Sequence, residues 1–483
     1  MSALLPLLGS LLLRAPSDPP RALAAAVEER VSPVEANGAS VGIEVRSLDR
    51  GETLVSRRAR ILFSAASNTK IVTTAAAPTL LPPDFHFETP FSIRGDVKGG
   101  ALHGDLLVSG GGDPCLSGRF FEGGASRAFA PVAKALKEAG IDRIEGDVVL
   151  DDRLFDGERV HPGWPRDQLS AAYCAKVSAL PLNEGCVVAT VTPGRPGEAA
   201  SIEISPLGCS FAMEGKVATV PGRGKTVVDL SFPGPDRLRI RGEIAASSAP
   251  YKAEASVPDP LAFFGAVLAS ALRSGGVELA GPVRPVREGE EPLEGARVLH
   301  VIRSPLLPAV VVIDKQSENF SAEHLMKLLG ARFGGEGSWT GGVRAVRGFL
   351  GSSGIPAEGF EMEDGSGLSR GNRFSPAFLV AVLESMWKGP RRDDFFRSLP
   401  SAGEPGTTLD DRLREEPYRR SVRAKTGYIL RVSALSGYAR TRAGETLAFS
   451  ILVNDRERTA NRVFKAMQDD VVRLLVDYSR NGG

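Results

Sequence analysis

The pattern of apolar and polar residues predicts that the chain begins with a pair of strands followed by a helix. Residues 40–56 alternate on either side of a turn at 49–51, as in a half-buried β-hairpin. Residues 63–81 are mostly apolar or small, which indicates a buried helix that ends before Pro82. Pro78 should kink this helix or end it early, because proline removes one backbone hydrogen bond.

The pattern changes in the middle of the chain. Between residues 96 and 290, short alternating runs are separated by glycine-rich turns, which indicates mostly β-structure in more than one module. One helix is predicted at 259–274, where Asp259 is placed to cap it. After Arg297 the sequence is helix-rich, and it closes with strands and an amphipathic helix at 461–478. Together these patterns predict a mixed α/β protein of the α+β type.

The first 26 residues have features of a secretory signal peptide. Residues 3–13 form a nearly continuous apolar run, and the small residues at 22–26 suit signal-peptidase cleavage, although no Lys or Arg precedes the run. No later segment reaches 18 uninterrupted apolar residues, the length that a membrane-spanning helix needs. We therefore expect a signal peptide at 1–26 and an exported protein that is not integral to a membrane.

Composition and charge exclude several classes of protein. Of the 483 residues, 42% are hydrophobic and 24% are charged, as in an ordinary globular chain. The formal charge of +1 gives no reason to expect nucleic-acid binding. No His lies at zinc-ligand spacing from any of the four cysteines, and no metal or other cofactor is implied. Cys174 and Cys186 are close enough to pair in an oxidising compartment, and reduced buried thiols are the alternative.

Ser67 and Lys70 form the first candidate catalytic pair. Residues three apart on a helix share a face, so the Lys70 amine can reach the Ser67 hydroxyl. A serine beside a potential base is the arrangement of an activated nucleophile. For Lys70 to be half neutral near pH 7, its pKa must fall by about three units, which burial and a neighbouring cation could supply. The Ser-x-x-Lys pattern is common by chance and is weak alone.

Two further motifs follow in chain order. Ser317 and Asn319 form a Ser-x-Asn pattern, and Lys425, Thr426 and Gly427 form a Lys-Thr-Gly pattern at the start of a predicted strand. The combination of the three motifs is the signature of penicillin-binding proteins and serine β-lactamases. Each motif is short, but all three in this order are much rarer by chance than any one of them.

The first two motifs supply the groups that acyl transfer needs. Ser67 would attack a carbonyl carbon to give an acyl-enzyme, and Lys70 would accept its proton. Ser317 could relay that proton to the leaving amine, and Asn319 could hydrogen-bond the substrate backbone. In the alternative mechanism Lys70 stays charged, and Ser317 with Lys425 acts as the general base.

The third motif supplies groups that hold the substrate. Lys425 and Thr426 would bind a free carboxylate at the end of the substrate. Gly427 would allow close approach of the backbone, since it carries no side chain. The backbone N–H groups of Ser67 and Tyr428 are the candidate oxyanion hole.

The sequence resembles the D-alanyl-D-alanine carboxypeptidase/endopeptidase family, the class C low-molecular-mass penicillin-binding proteins. Besides the three motifs, the resemblance is carried by four segments, which are 64–70 (SAASNTK), 110–114 (GGGDP), 364–370 (DGSGLSR) and 433–438 (SALSGY). It implies a serine-type hydrolase that acts on peptidoglycan stem peptides in the periplasm and is inhibited by β-lactam antibiotics. It also implies that Ser366 and Gly367 line the substrate groove.

The resemblance also implies how the chain is divided into domains. Ser67 and Ser317 are 250 residues apart (317 − 67), whereas a serine β-lactamase has room there only for a small helical domain. The excess fits the β-rich insertion of the family. The expected boundaries are 30–95 and 290–483 for a β-lactamase/transpeptidase-like catalytic domain with an antiparallel sheet, and 96–290 for the insertion, with an outer module at 96–180 and 255–290 and an inner module at 181–254.

Some residues depart from the family pattern or favour a purely structural role. Tyr428 follows the Lys-Thr-Gly motif where a small Thr or Ser is expected, so the groove could differ in shape. Asp113 with Pro114 is expected to be a structural turn, and Glu318 is expected to face solvent. Two other functions stay open at this point, namely a β-lactamase or esterase on the same scaffold, and a non-catalytic cell-wall-binding protein.

Overall fold

The structure is a computed structural model that describes residues 18–209, 211–222, 226–291 and 294–480. The apolar run at 3–13 of the expected signal peptide lies outside the described residues. The small residues at 22–26 lie in a helix, Pro19–Ala36, which buries Leu23 and Val27. In the described ranges, none of the helices has the length and apolar character of a membrane span.

Helices and strands are numbered in chain order. The α-helices are α1 (Pro19–Ala36), α2 (Thr69–Leu80), α3 (Ala130–Glu138), α4 (Pro260–Ser274), α5 (Leu306–Lys315), α6 (Asn319–Phe333), α7 (Trp339–Ser352), α8 (Pro376–Lys388), α9 (Arg392–Ser398), α10 (Tyr418–Ser421) and α11 (Asn461–Asp477). The strands are β1 (Ala39–Ser47), β2 (Glu52–Arg57), β3 (Phe63–Ser64), β4 (His86–Lys98), β5 (Ala101–Ser109), β6 (Arg143–Ile144), β7 (Val148–Asp151), β8 (Cys186–Thr192), β9 (Ser201–Ser205), β10 (Ala212–Val220), β11 (Val227–Gly234), β12 (Arg237–Ala245), β13 (Tyr251–Ser256), β14 (Glu278–Leu279), β15 (Val283–Pro285), β16 (Arg297–Pro305), β17 (Phe360–Glu361), β18 (Arg373–Phe374), β19 (Val422–Ile429), β20 (Val432–Arg440) and β21 (Thr446–Asp455).

The two ends of the chain share one antiparallel sheet, in the strand order β19-β20-β21-β1-β2. Strands that are buried on both faces need a packed layer on each side, and helices cover both faces of this sheet. One face packs against α1 and α11, with buried residues such as Val31 and Val472. The other face packs against a helical layer that includes α2 and α8, through residues such as Leu452 and Leu379. The result is a three-layer domain in which the 3₁₀ turn at Ala66–Asn68, just before α2, packs against β19 and β20.

Three further sheets lie in the region between α2 and α5. A seven-stranded sheet contains β4 to β7 and β14 to β16. Two three-stranded sheets, β13-β8-β9 and β10-β12-β11, come from the chain between β7 and α4. All three contribute to a second core with α3 and α4, centred on Phe129 and Phe264. The nested order of these strands is compatible with the expected outer and inner modules, whose independence as folding units stays a prediction.

The sequence pattern identified most elements and misjudged one. The hairpin at 40–56 and the Asp259-capped helix are present as β1 with β2 and as α4. The helix expected at 63–81 begins later, because 63–64 form β3 and a 3₁₀ turn covers Ala66–Asn68. Pro78 does not end α2, which continues to Leu80. Since Pro78 lies in the last turn, only one helical hydrogen bond is lost.

Candidate active site

The nucleophile candidate Ser67 lies in the 3₁₀ turn that leads into α2. The preceding Ala66 has a left-handed backbone conformation, with φ of 47°, which costs an L-residue about 1–2 kcal/mol. Such strain persists only where surrounding contacts hold it. Asn68 supplies one of those contacts, because its side chain donates to the backbone carbonyl of Lys425 at 2.9 Å. The turn is therefore fixed directly against β19.

Lys70 is fully buried one helical turn after Ser67. Its Nζ lies 3.0 Å from Ser67 Oγ, which confirms that the two residues share a face. The same nitrogen contacts Asn319 Oδ1 at 2.7 Å and the carbonyl oxygen of Ser366 at 2.8 Å. Three oxygen atoms from three separate parts of the chain thus surround one amine.

Burial controls the charge of Lys70. Removal from water lowers its pKa to about 8, while the negative charges of Glu318, Glu323 and other buried carboxyl groups oppose this change. Burial also lowers the pKa of Lys425 well below that of a free lysine, and the nearby Lys70 charge adds to the effect. The two amines therefore give up a proton far more readily than exposed lysines do.

A second hydroxyl and amine pair lies in the same cleft. Ser317 is in the left-handed region, with φ of 59°, in the loop between α5 and α6. Its Oγ accepts a hydrogen bond from Lys425 Nζ at 2.9 Å. Asn319, the first residue of α6, contacts Lys70 through Oδ1 and donates from Nδ2 to the carbonyl of Tyr173 at 2.8 Å. The structure thus brings together all five residues predicted to be catalytic.

The rest of the Lys-Thr-Gly segment lies along β19. Gly427 packs so closely that a Cβ there would lie 2.8 Å from the carbonyl oxygen of Ala65. Thr426 and Tyr428 join Gly427 in the lining of a small pocket of about 300 Å³. The Tyr428 side chain is 57% exposed, so it can reach a ligand on this side of the strand.

The segment 364–370 packs against both Lys70 and the nucleophile turn. Ser366 is fully buried, and its carbonyl oxygen holds Lys70. Gly367, with φ of 86°, packs so tightly that a Cβ there would lie 1.9 Å from the carbonyl oxygen of Ala66. Ser366 therefore contacts the catalytic amine and Gly367 packs against the turn that carries Ser67, and their expected place in the lining of the substrate groove stays a prediction.

Glu323 is a buried residue of the site that the sequence analysis missed. Its carboxylate accepts hydrogen bonds from the backbone N–H groups of Gly365 and Ser366, at 3.0 and 2.8 Å, and from Trp339 Nε1 at 2.7 Å. Burial raises its pKa to about 7. A signal was available, because Glu323 follows Asn319 by four residues and such residues share a helix face.

Other expectations concern residues around the site. Glu318 does not face solvent, because its half-buried carboxylate caps α6 by accepting from the backbone N–H groups of Phe320 and Ser321. Glu318 directly precedes the first residue of α6, where the backbone N–H groups of the first turn have no partner within the helix. Asp113 is fully buried and accepts from Ser304 Oγ at 2.6 Å, as a structural turn residue would.

All four cysteines are free thiols, so Cys174 and Cys186 do not pair.

A groove opens beside the Ser-x-Asn loop. It has a volume of about 590 Å³ and is lined by Ser317, Asn319 and Tyr173 at one end. From there it extends to residues of the inserted region, including Arg119 and Lys252. Lys70 contacts both Ser67 and Asn319, and Lys425 contacts Ser317, so the Ser-x-Asn loop links the other two motifs to the edge of this groove.

Comparisons with known proteins agree with this geometry. The D-alanyl-D-alanine carboxypeptidase of an Actinomadura species is 33% identical over 463 residues, covering 92% of this chain and 82% of that protein. The D-alanyl-D-alanine carboxypeptidase DacB of Haemophilus influenzae is 27% identical over 423 residues and covers 86% of each chain. The crystal structure of penicillin binding protein 4 from Haemophilus influenzae matches with a TM-score of 0.78 at 24% identity, over 94% of this chain and 99% of that one.

The family itself is identified by the extent of the match. The D-Ala-D-Ala carboxypeptidase 3 (S13) family matches residues 23–478, which include both ends of the shared sheet and the whole inserted region. The resemblance inferred from the motifs and the expected mixed helix and sheet fold are both confirmed. The chain therefore belongs to the D-Ala-D-Ala carboxypeptidase 3 (S13) family and is a peptidase, a hydrolase of that class.

Proposed function

We propose that the chain removes the terminal D-alanine from peptidoglycan stem peptides through an acyl-enzyme at Ser67. The observation that carries this proposal is the 3.0 Å contact between Ser67 Oγ and Lys70 Nζ at the bottom of the cleft. Ser67 Oγ attacks the carbonyl carbon of the penultimate D-alanine, and the amide bond to the terminal residue breaks. The terminal D-alanine leaves as a free amine, and water then hydrolyses the ester.

Lys70 is placed to act as the general base. A neutral amine has two N–H donors and one lone pair, whereas an ammonium has three donors and no lone pair. The Asn319 and Ser366 oxygens accept from two positions on Lys70 Nζ, so the remaining one is directed at Ser67. In the neutral form this position is the lone pair, which can take the hydroxyl proton as the serine attacks.

Ser317 and Lys425 are placed to complete the proton transfer. Their 2.9 Å hydrogen bond joins a hydroxyl to a second amine whose pKa is lowered by burial. Ser317 would pass a proton to the nitrogen of the leaving group, because its hydroxyl lines the groove and is hydrogen-bonded to Lys425. In the alternative mechanism this pair takes the proton from Ser67, and Lys70 remains charged.

The edge strand β19 is suited to hold an extended peptide. It is the outermost strand of its sheet, and residues 400–402 pair with its free side only at 422–424, so the backbone farther along the strand can pair with a substrate backbone. Thr426 would bind the terminal carboxylate together with Lys425. The N–H groups of Ser67 and Tyr428 would stabilise the oxyanion of the tetrahedral intermediate.

The same chemistry supports β-lactam antibiotics as inhibitors. A β-lactam presents an amide carbonyl to Ser67 and a carboxylate to Lys425 and Thr426, as the peptide does. One solved structure of penicillin binding protein 4 from Haemophilus influenzae, which matches over 93% of this chain with a TM-score of 0.73, is a complex with a β-lactam. Cleavage of D-Ala cross-links, and export to the periplasm where such substrates lie, are further parts of the proposal.

The test is release of D-alanine from a pentapeptide that ends in D-Ala-D-Ala. Ser67→Ala should lower kcat/KM by roughly a thousandfold or more, because the acyl-enzyme can no longer form. Ser64→Ala is the matched control, since the buried Ser64 hydroxyl has no hydrogen-bond partner among the described residues. The proposal is wrong if Ser67→Ala and Ser64→Ala release D-alanine at similar rates.

A further inference from the structure

We propose that a basic pocket at the start of β19 binds an anionic ligand that carries phosphate groups. The pocket has a volume of about 790 Å³, within the range of about 300 to 1,000 Å³ that is usual for ligand sites. None of its lining residues lines the groove beside Ser317 or the small pocket around Thr426. The inference therefore goes beyond the proposed function, since the pocket is separate from the catalytic groups.

Three segments of the chain form the walls of this basic pocket. They are the loop at 401–405, the helix α10 with the first residues of β19, and the turn between β20 and β21. The base of the pocket is aromatic. Its rings contact one another with centroids 5.4 to 5.7 Å apart, and they belong to Trp387, Phe396 and Tyr438. Aromatic rings at the base exclude water, which strengthens ion pairs formed above them.

The lining of the basic pocket has an excess of positive charge. Four arginines line it, namely Arg419, Arg420, Arg423 and Arg440. Among the lining residues, all of which lie in the described ranges, Glu404 is the one acidic residue. Its carboxylate is already paired with Lys315, so it does not neutralise the arginines.

Three of the four arginines have no acidic partner. Arg420 pairs with Glu416 at 3.0 Å, whereas Arg419, Arg423 and Arg440 form no ion pair with any residue that the structure describes. Arg419 and Arg440 are exposed at the rim, and Arg423 is half-buried. Three guanidinium groups in one pocket are thus available to a ligand.

Arg423 shows most clearly that the pocket lacks an anion. Its Nη1 donates to the carbonyl oxygen of Leu399 at 3.0 Å, and its guanidinium lies 5.2 Å from the centre of the Phe396 ring. Burial lowers the pKa of Arg423, a change that the charge of Glu404 opposes and that of Arg397 favours. A half-buried cation without a carboxylate partner is costly, and a bound anion would reduce that cost.

The chemistry of guanidinium groups favours phosphate among anions. Each group presents planar N–H donors that match two oxygen atoms of a phosphate. A terminal phosphate carries a charge of about −1.5 to −2 and three acceptor oxygens, so it can bind more than one guanidinium. A carboxylate has one charge and two oxygens. An uncharged or cationic ligand would leave the three arginines without compensation.

Two sources could supply such a phosphate group. One is a soluble phosphate compound, and the other is the head group of an anionic lipid. Both present the same oxygen atoms to the pocket, so the shared chemistry is tested first and the source second.

The first test is binding of inorganic pyrophosphate to the full chain, measured by isothermal titration calorimetry. Arg419→Ala with Arg440→Ala should weaken this binding at least about tenfold, because two guanidinium contacts are lost. Both residues are exposed, so thermal unfolding should show that the variant is folded. Binding should also weaken as salt is added, since the contacts are ionic.

Arg241→Ala with Arg273→Ala is the matched control. These arginines are exposed, lie on β12 and α4, form no ion pair with any described residue and do not line the pocket. The control removes the same charge and should bind pyrophosphate as the wild type does. Absence of pyrophosphate binding to the wild type, or equal weakening in both double variants, would overturn the inference. Binding of citrate, a tricarboxylate, as tightly as pyrophosphate would also overturn it, because the pocket would then select charge and not phosphate.

Flotation with phosphatidylglycerol vesicles then separates the two sources of phosphate. Vesicle binding that is lost in Arg419→Ala with Arg440→Ala, and kept in the control, assigns the pocket to a lipid head group. Vesicle binding that is absent, or that this variant keeps, assigns the pocket to a soluble phosphate compound.

Discussion

Lys70 combines complete burial with a position between three oxygen atoms. Burial lowers its pKa to about 8, so a measurable fraction of the amine is neutral near pH 7. The contacts with Asn319 and Ser366 orient the nitrogen, and its remaining N–H or lone pair is directed at Ser67. Burial therefore sets the charge of Lys70, whereas Asn319 and Ser366 set the orientation of its amine, so the two properties can be tested separately.

The first prediction concerns pH. Since only the neutral amine can accept a proton, kcat/KM should rise with pH along a limb whose apparent pKa is about 8. Lys70→Arg keeps a positive charge at all accessible pH values and should lower kcat/KM at least about 100-fold. Stopped assays from pH 5 to 10 would measure both profiles. Near-normal rates for Lys70→Arg would instead assign the base to Ser317 and Lys425.

The second prediction concerns Glu323. Glu323→Gln replaces one acceptor oxygen with an NH₂ group that faces a backbone donor, so about 1–3 kcal/mol of stability should be lost. The substitution also removes a negative charge that raises the pKa of Lys70. We expect kcat to fall about tenfold with little change in KM, and the rising limb to move to lower pH.

Glu363→Gln is the control for this variant, because Glu363 is an exposed carboxylate directly before the loop at 364–370 that Glu323 holds. It should leave both the pH limb and kcat unchanged. Thermal unfolding and pH profiles of the two variants provide the measurements. A Glu323→Gln enzyme with the limb of the wild type would mean that this carboxylate has no part in positioning or charging Lys70.

At the scale of elements, the site depends on contacts between short backbone segments. The 3₁₀ turn with Ser67 lies between β19 on one side and the loop at 364–370 on the other. Gly427 approaches the turn from β19, and Gly367 approaches it from the loop. Neither position has room for a side chain, so both glycines are required by packing against the nucleophile.

The third prediction follows from that packing. Gly367→Ala should lower kcat/KM by at least about 100-fold, because its Cβ would lie 1.9 Å from the carbonyl oxygen of Ala66 and must displace the nucleophile turn. Gly348→Ala in α7 is the control, since nothing lies within 4 Å of the added Cβ and alanine favours a helix. Circular dichroism would verify that both variants are folded. Full activity of a folded Gly367→Ala enzyme would contradict the packing argument.

The sequence predicted helices and strands best where the spacing of apolar residues or one helix-capping residue is enough to identify them. The hairpin of β1 and β2 and the capped helix α4 follow from local patterns and were identified. The start of α2 was not identified correctly. The left-handed conformation of Ala66 and the contact of Asn68 with Lys425 depend on residues hundreds of positions away. Helix propensity depends only on residues nearby in the chain, so the sequence pattern predicted a helix that began too early, at residue 63.

At the scale of the whole molecule, the insertion contributes to the catalytic end of the groove. The carbonyl of Tyr173 accepts from Asn319, and the ion pair of Arg119 and Glu184 lies next to Gln316. Motif order and spacing predicted that three segments would converge on one cleft. They could not predict these contacts, since pairing between residues more than 100 positions apart depends on how the sheets dock.

The same limit explains the residues that were misplaced. Ser366 and Gly367 were identified as part of the site from their motif, but their contacts with Lys70 and Ala66 depend on the packing of the loop against α6. Glu318 and Glu323 are charged, and a sequence alone suggests exposure for such residues. The Glu318 carboxylate is held by the N–H groups of the helix start that directly follows it, whereas the Glu323 carboxylate is held by N–H groups 42 and 43 positions away, which only the folded chain brings within reach.

The central claim is that the three motifs form one cleft in which Ser67 is acylated. Its most direct test is mass spectrometry of the intact chain and of its peptides after incubation with penicillin G. The account predicts one long-lived penicilloyl group per chain, on the peptide that contains Ser67, and none on the Ser67→Ala chain. A stable adduct on Ser317 or another serine, or rapid loss of the adduct as in a β-lactamase, would contradict it.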